Sequence, residues 1–252
     1  MKFTSKDFKR YSRQIILKQI GIHGQKKIFS SKVLIIGAGG LGCPLILYLA
    51  NSGVGNIGIV DNDKIDLSNL NRQVLFNYND IGKFKVDQTK KRIREINKKI
   101  KVEIYKKKID KNNINIIMRK YDIICDGTDN FESRYLINDY CLKKKKILIS
   151  AAISKFDGQI FKFNFQKISP CFRCFMPVKP RREINCDSEG IVSTLAGVIG
   201  TMQANEVIKT ILGVKDNLWG KMIVFNSLTS EFRKIKIPKN PKCISDCRKR
   251  NG

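Results

Sequence analysis

The chain carries a single histidine, His23, so any reaction built on an imidazole base would have to rest on that one residue. It lies between Gly21 and Gly24 and reads as a turn residue rather than a catalyst. Acidic side chains are also scarce, with 22 Asp and Glu against 49 Lys and Arg for a net charge of +27. A surplus of that size ordinarily points to nucleic acid. Here the cations are spread along the chain among abundant Ile and Asn, and compositional drift accounts for them without a nucleic-acid partner. What survives is an electrostatic pull on an acidic protein partner. No apolar run approaches a membrane span. The segment Met1-Lys2-Phe3-Thr4-Ser5-Lys6-Asp7 lacks the apolar core and cleavage site of a secretory signal. Repeats, low-complexity tracts and linkers are missing too, which leaves one continuous domain over residues 1–252. A cytoplasmic setting follows as the expectation, and there the eight cysteines suit metal binding or catalysis better than disulfides.

What is present begins with a glycine loop. Residues 33–36 are four apolar positions in a row and read as a buried parallel strand. Gly37, Gly39 and Gly42 then form G-x-G-x-x-G, with Gly40 inside it, and residues 41–50 read as a helix. A tight turn between strand and helix lets backbone N–H groups approach phosphates, and the helix N-terminus adds favourable charge. A second apolar run at 57–60 delivers Asp61 about 20 residues on, where a carboxylate can hold ribose hydroxyls. These features predict a nucleotide site without specifying the nucleotide.

Residues 62–73 are polar and rich in amides and hydroxyls, among them Asp63, Ser68, Asn69 and Arg72. Arg72 and Lys85 are the cations placed to face a triphosphate, whose transition-state charge calls for fixed positive groups. Residues 86–99 read as an amphipathic helix, 101–109 as a strand, 112–119 as a short helix and 121–126 as a buried strand. That last strand ends in the turn Gly127-Thr128-Asp129-Asn130, which brings Asp129 to the same sheet edge as the glycine loop. A carboxylate beside phosphates implies a divalent cation, while Asp129 or Asn130 could equally cap the next helix. Further strands are expected at 147–149, at 159–165 (a more exposed one), at 222–225 and at 231–237. A long helix is expected at 193–212, with Gly197 and Gly200 permitting close contact.

Cys171 and Cys174 form a C-x-x-C knuckle, and Cys243 and Cys247 supply a second, looser pair. Four thiolates in two close pairs suit tetrahedral zinc in a structural role. Cys186 belongs to neither pair; Arg181 and Arg182 nearby favour its thiolate and make it a candidate nucleophile. The helical arm before the first strand reads as a packing element covering a sheet edge or a subunit seam.

Together these pieces resemble the MoeB/ThiF family, bacterial relatives of the ubiquitin-activating enzymes. The resemblance is carried by Arg10-Tyr11-Ser12-Arg13-Gln14, the glycine loop, Asp61-Asn62-Asp63, the run from Leu67 to Gln73, Gly82-Lys83-Phe84-Lys85, the 126–130 turn, the knuckle and Asn185-Cys186. It implies a Rossmann-like, doubly wound, mostly parallel α/β sheet with a C-terminal antiparallel extension and a structural zinc site. The implied layout is an arm at 1–30, a nucleotide-binding half at 31–150 and a zinc-stapled, carrier-binding half at 151–252. The implied activity is ATP-dependent adenylylation of the C-terminal glycine of a ubiquitin-like sulfur carrier ending in Gly-Gly, of the molybdopterin or thiamine type. The resemblance also implies a homodimer in which Arg13 reaches the partner's ATP site. Asp61 would hold ribose, and Asn69, Arg72 and Lys85 the phosphates. Asp129 would orient magnesium, with the loop glycines, Asp63, Ser68 and Asn130 completing the nucleotide contacts. Cys186 matches a cysteine that some members link covalently to the carrier. No sulfurtransferase domain is expected after Cys247, so sulfur would come from a separate sulfurtransferase or cysteine desulfurase. Two departures stand out, the C-x-x-x-C spacing and Gly127 where the family has cysteine.

Two rivals are weighed against this reading. An NAD-dependent oxidoreductase explains the loop and Asp61 but gives Arg72, Lys85 and Asp129 nothing to do. A zinc-stapled nucleic-acid binder explains the charge but leaves the loop idle.

Overall fold

The computed structural model describes residues 3–179, 190–215 and 218–243. Two helices, α1 (Ser5–Ile15) and α2 (Gly21–Ser30), precede strand β1 (Lys32–Ile36). There follow α3 (Gly42–Ser52), β2 (Asn56–Val60), α4 (Lys85–Ile96), β3 (Lys101–Tyr105), α5 (Ile114–Met118), β4 (Ile123–Asp126) and α6 (Phe131–Lys143). The second half holds β5 (Ile147–Ser154), β6 (Asp157–Asn164), a one-turn helix α7 (Phe172–Phe175), α8 (Ser193–Leu212), β7 (Lys221–Asn226) and β8 (Glu231–Lys236).

The described strands form one sheet in the order β3-β2-β1-β4-β5-β6-β7-β8. Pairing is parallel from β3 to β5 and antiparallel from β5 to β8. The alternation of side chains along each strand divides the core in two. Val33, Ile35, Ile57, Ile59 and Cys125 pack against α3, α4 and α8 on one face. Leu34, Ile36, Val60 and Ile124 pack against α5 and α6 on the other. Helices cover both faces, as a doubly wound sheet requires. The reversal of strand order between β1 and β4 opens the crevice at their carboxyl ends.

Most expected elements fall within a few residues of their positions, and the differences have physical causes. His23 lies inside α2, not in a turn: the chain turns at Gly21, the first residue of the helix, whose φ is 56°, and the helix runs on to Ser30. The strand expected over 101–109 stops at Tyr105. Strand β6 is not exposed, since it is flanked by β5 and β7 and covered by α8. Ile160 and Phe163 on it are wholly buried, and Lys162 is 1 % exposed. Of the two glycines in α8, Gly200 makes the close contact: a Cβ there would lie 2.5 Å from the Leu41 carbonyl oxygen at the start of α3, whereas Gly197 faces open space.

The N-terminal arm is fastened to the body. Thr4 and Asp7 form a capping box on α1, and Lys99 Nζ donates to Asp7 Oδ2 at 2.6 Å. Burial works against the Asp7 carboxylate, but Lys99 and Thr4 outweigh it and hold its pKa down at about 2. Asn97 Nδ2 donates to Tyr11 Oη at 2.7 Å, and Arg10 donates to the Ile96 carbonyl at 2.6 Å. None of the described helices is long and apolar enough to cross a membrane.

Candidate functional site

A cleft of about 670 Å³ opens at the carboxyl ends of β1, β2 and β4. Gly37, Gly39 and Gly40 line one wall, and Gly37 has φ 97°, which a side chain would strain. Gly42 does not line the cleft. Its hydrogen faces the Gly37 carbonyl, and a Cβ there would sit 2.0 Å from that oxygen. The glycine spacing therefore closes the turn on itself and leaves the loop backbone to face the crevice.

Asp61 follows β2 and binds the loop directly. Its Oδ2 accepts from Ala38 N at 2.7 Å and its Oδ1 from Asp63 N at 2.8 Å. Burial raises its pKa, an effect that Lys85 and these two hydrogen bonds offset only in part. Lys85 is 6 % exposed, and its Nζ donates to Asp63 Oδ2 at 2.9 Å. Asp63 thus positions the lysine at the cleft wall. Arg72 lies with its aliphatic stem over Gly40, as the 3.5 Å from a Gly40 Cβ to Arg72 Cγ and Cδ records, and its Nη1 donates to the Ser68 carbonyl at 2.8 Å. Asn69 lines the cleft beside it, while Ser68 is exposed, bonded to Asp66 and outside the cleft.

The turn after β4 brings Asp129 and Asn130 to the opposite wall. Asp126 anchors this turn from below, accepting from Thr128 N and Oγ1 at 2.9 and 2.7 Å and from Ser150 Oγ at 2.6 Å. Asn130 caps α6 by accepting from Ser133 N at 2.9 Å. Asp129 itself is exposed, and it accepts a long 3.4 Å bond from Asn130 Nδ2. A carboxylate left open beside two cations and a glycine loop suits a cation shared with phosphate. At Gly127 the nearest atom to an added Cβ is 3.5 Å away, so the space would admit the family's cysteine.

Several cleft residues carry no signal that spacing alone could pick out. Arg134, on α6, bridges the walls: its Nη2 donates to the Thr128 carbonyl at 2.5 Å and to the Ala151 carbonyl at 3.0 Å. Gln73 is 3 % exposed at the cleft, and its buried Oε1 has no hydrogen-bond partner among the described residues. Phe161, Phe172, Phe175 and Met176 line the far end. Arg13 is exposed on α1 and does not line the cleft of its own chain.

The knuckle lies beyond that far end. Cys171 Sγ is 3.9 Å from Cys174 Sγ and 3.6 Å from Cys243 Sγ. Tetrahedral zinc with bonds of about 2.3 Å sets its sulfurs roughly 3.8 Å apart; both of these pairs match that spacing, and all three sulfurs lie within 4.8 Å of one another. Cys247 lies outside the described residues, as does Cys186 with Arg181 and Arg182. The remaining cysteines are inert. Burial pushes the Cys43 thiol up to about 12 and raises those of Cys125 and Cys141 as well.

Comparison with known proteins agrees with this geometry. The chain is 47% identical over 238 residues to a probable molybdopterin-synthase adenylyltransferase of Porphyra purpurea, covering 93% of the chain and 62% of that protein. It is 37% identical over 249 residues to the sulfur carrier protein adenylyltransferase of Thermus thermophilus, covering 96% of the chain and 92% of that protein. Among solved structures it superposes on E. coli MccB, crystallised with MccA-N7isoASN, with a TM-score of 0.84 at 25% identity, covering 98% of the chain and 76% of that structure. The chain spans about three fifths of the length of the algal relative. The model of the ThiF family matches residues 11–245, and the chain belongs to that family.

Proposed function

We propose that the chain catalyses ATP-dependent adenylylation of the C-terminal glycine of a ubiquitin-like sulfur-carrier protein. The observation that carries this reading is the cleft itself. A glycine loop, two cations and an open carboxylate converge at one sheet edge, and no histidine is among them. The reaction needs none. A terminal carboxylate is ionised at neutral pH, so one of its oxygens attacks the α-phosphorus directly. The new bond is C–O–P; the bond from the α-phosphorus to the bridging oxygen breaks, and pyrophosphate leaves with that electron pair. What the protein must supply is orientation and neutralisation of like charges.

In this reading Asp61 receives the ribose, and Asn69, Arg72 and Lys85 receive the phosphates. Magnesium, held at Asp129, would neutralise phosphate charge. Zinc at Cys171, Cys174, Cys243 and Cys247 would be structural. Arg13, exposed on a firmly docked arm, would act in the site of a second copy of the chain, making the homodimer the working unit. Cys186 is proposed as the point of any covalent link to the carrier, with sulfur supplied by a separate sulfurtransferase or cysteine desulfurase. The names of the relatives favour a molybdopterin-type carrier over a thiamine-type one, and a cytoplasmic setting is proposed with it. The NAD-linked alternative still leaves Arg72, Lys85 and Asp129 without a role.

The test is ATP–pyrophosphate exchange with candidate carriers ending in Gly-Gly. Exchange is expected only with a carrier present; ATP binding without exchange for any carrier would overturn the reading. Arg134 enters the same assay as a positioning residue. Arg134→Lys keeps the charge but loses the fork that ties Thr128 to Ala151. Exchange is expected to fall roughly 10- to 100-fold through kcat, with KM for the carrier nearly constant. A change confined to melting temperature would leave Arg134 a purely structural group.

A further inference from the structure

The cleft has an end that phosphate chemistry does not use. Beyond Asp129 it continues along β5 and β6 to an aromatic wall. The Phe161 ring lies 5.1 Å from that of Phe175 and 5.6 Å from that of Phe172. Phe172 is buried, while Phe175 is 36% exposed and faces the opening.

Two of these rings come from the single turn that carries the knuckle. Cys171 and Cys174 are three residues apart and share one side of that turn; Phe172 and Phe175 have the same spacing, one residue on, and share another. Whatever orders the sulfurs therefore orders the rings. The rest of the turn is tied to α6. Phe172 N donates to Asn138 Oδ1 at 2.8 Å, and Arg173 pairs with Asp139 at 2.7 Å. Tyr135 Oη donates to the Met176 carbonyl at 3.0 Å. The sulfur cluster adds a tether to the C-terminal part of the chain, through Cys243.

Strand spacing decides which ligand meets this wall. Neighbouring strands lie about 4.8 Å apart. Asp61 follows β2 and Phe161 sits on β6, four strands away and so roughly 19 Å off. A ribose at Asp61 leaves its base on the β2–β3 side, near Ile109 and Lys108, with the phosphates running toward Arg72 and Asp129. Asp129 follows β4, two strands or about 10 Å from β6. A diglycine spans about 7 Å when extended. The first side chain upstream of it then arrives at the wall.

The geometry points to α7 as a metal-ordered specificity wall, in which Phe172 and Phe175 receive the apolar side chain that precedes the carrier's Gly-Gly. This inference rests on the adenylylation reading above.

The test uses the full, zinc-loaded chain and a carrier ending in X-Gly-Gly, with X as leucine or aspartate. Carrier KM is read by pyrophosphate exchange, and the affinities for ATP and for carrier by calorimetry. Phe175→Ala is expected to raise carrier KM about tenfold when X is leucine. Aspartate at X should raise it about as much with the intact wall, and little more once the wall is removed. The Kd for ATP should stay within twofold. Chelation of the zinc should weaken carrier binding about tenfold, reversibly on zinc return, again with ATP affinity unchanged. Where chelation unfolds the protein, Phe175→Ala in the loaded chain decides alone. Carrier KM insensitive to both Phe175 and X would overturn the inference while leaving adenylylation standing. So would an ATP affinity that falls with Phe175→Ala, which would put the base on the wall. Absence of exchange with the unaltered chain and every carrier would overturn both.

Discussion

Asp129→Ala is expected to lower ATP–pyrophosphate exchange about 10³-fold while leaving the melting temperature within roughly 1 °C, because the turn does not depend on this carboxylate. Asp126 holds Thr128, Asn130 caps α6, and Arg134 holds the Thr128 carbonyl, whereas among the described residues Asp129 receives the long contact from Asn130 alone. The fall expected is that for loss of the carboxylate that would hold the magnesium neutralising phosphate charge in a cleft partly shielded from water. Asp129→Asn preserves the shape and removes the charge, so it should be nearly as inactive. Thermal melting and exchange on the same preparations check both halves. Exchange within tenfold of the parent would remove Asp129 from the reaction.

The second large effect lies away from the chemistry. Lys162 on β6 and Glu206 on α8 form an ion pair at 2.8 Å, with side chains 1% and 5% exposed. Lys162 also stacks on Trp219, its Nζ 4.4 Å from the ring centroid, and Lys209 reaches Glu206 Oε1 at 2.5 Å. Lys162→Met removes the buried partner of Glu206 and leaves its carboxylate to the more exposed Lys209, which places the loss at the lower end of the range for breaking a buried pair, about 3 kcal/mol. At roughly 2–4 °C per kcal/mol for a chain of this size, the melting temperature should drop by about 10 °C. Adding Glu206→Leu should recover most of it, since two apolar groups leave nothing uncompensated. Burial alone would raise the Glu206 pKa, but hydrogen bonds from Lys162 and Lys209 outweigh it and hold it below the ordinary value. The stabilisation from this carboxylate is therefore full above about pH 4.3 and is lost as pH falls through its lower folded value. Calorimetric melts across that range should fall more steeply for the parent than for the double variant. A double variant no more stable than Lys162→Met would show that the pair itself contributes, beyond the cost of stranding one partner.

The parts of this molecule that sequence alone revealed are those in which neighbours along the chain remain neighbours in space. The glycine loop, its strand and helix, and the turn at 126–130 each follow from local period and turn chemistry. Asp61 and Asp129 could be placed at one edge because strands in such sheets all present their carboxyl ends there. Lys162 could not be read in this way. In an alternating strand a lysine looks like a solvent-facing residue, and only β7 and α8, contributed from some 40 to 60 residues on, enclose it. Arg134 was hidden for the same reason, since its role depends on carbonyls from the turn after β4 and from β5. The aromatic wall was hidden differently. Cys171 and Cys174 drew the chemical reading, and the phenylalanines between and beside them received none. Gly42 shows a further case, in which the residue type was correctly assigned to the loop but serves to close the turn instead of facing the ligand.

The knuckle also bears on the order in which the molecule assembles. Cys171 and Cys243 are 72 positions apart in the chain, yet their sulfurs stand 3.6 Å apart once β6, β7 and β8 are paired. Zinc held as proposed would join them across a long loop whose closure entropy the antiparallel ladder has already taken up. Its capture would then follow the ladder, and chelation would reverse that step before any other. Amide exchange in the chelated chain is expected to quicken first in β8 and around Cys243, with β1, β2 and β4 still protected as a separate cooperative unit.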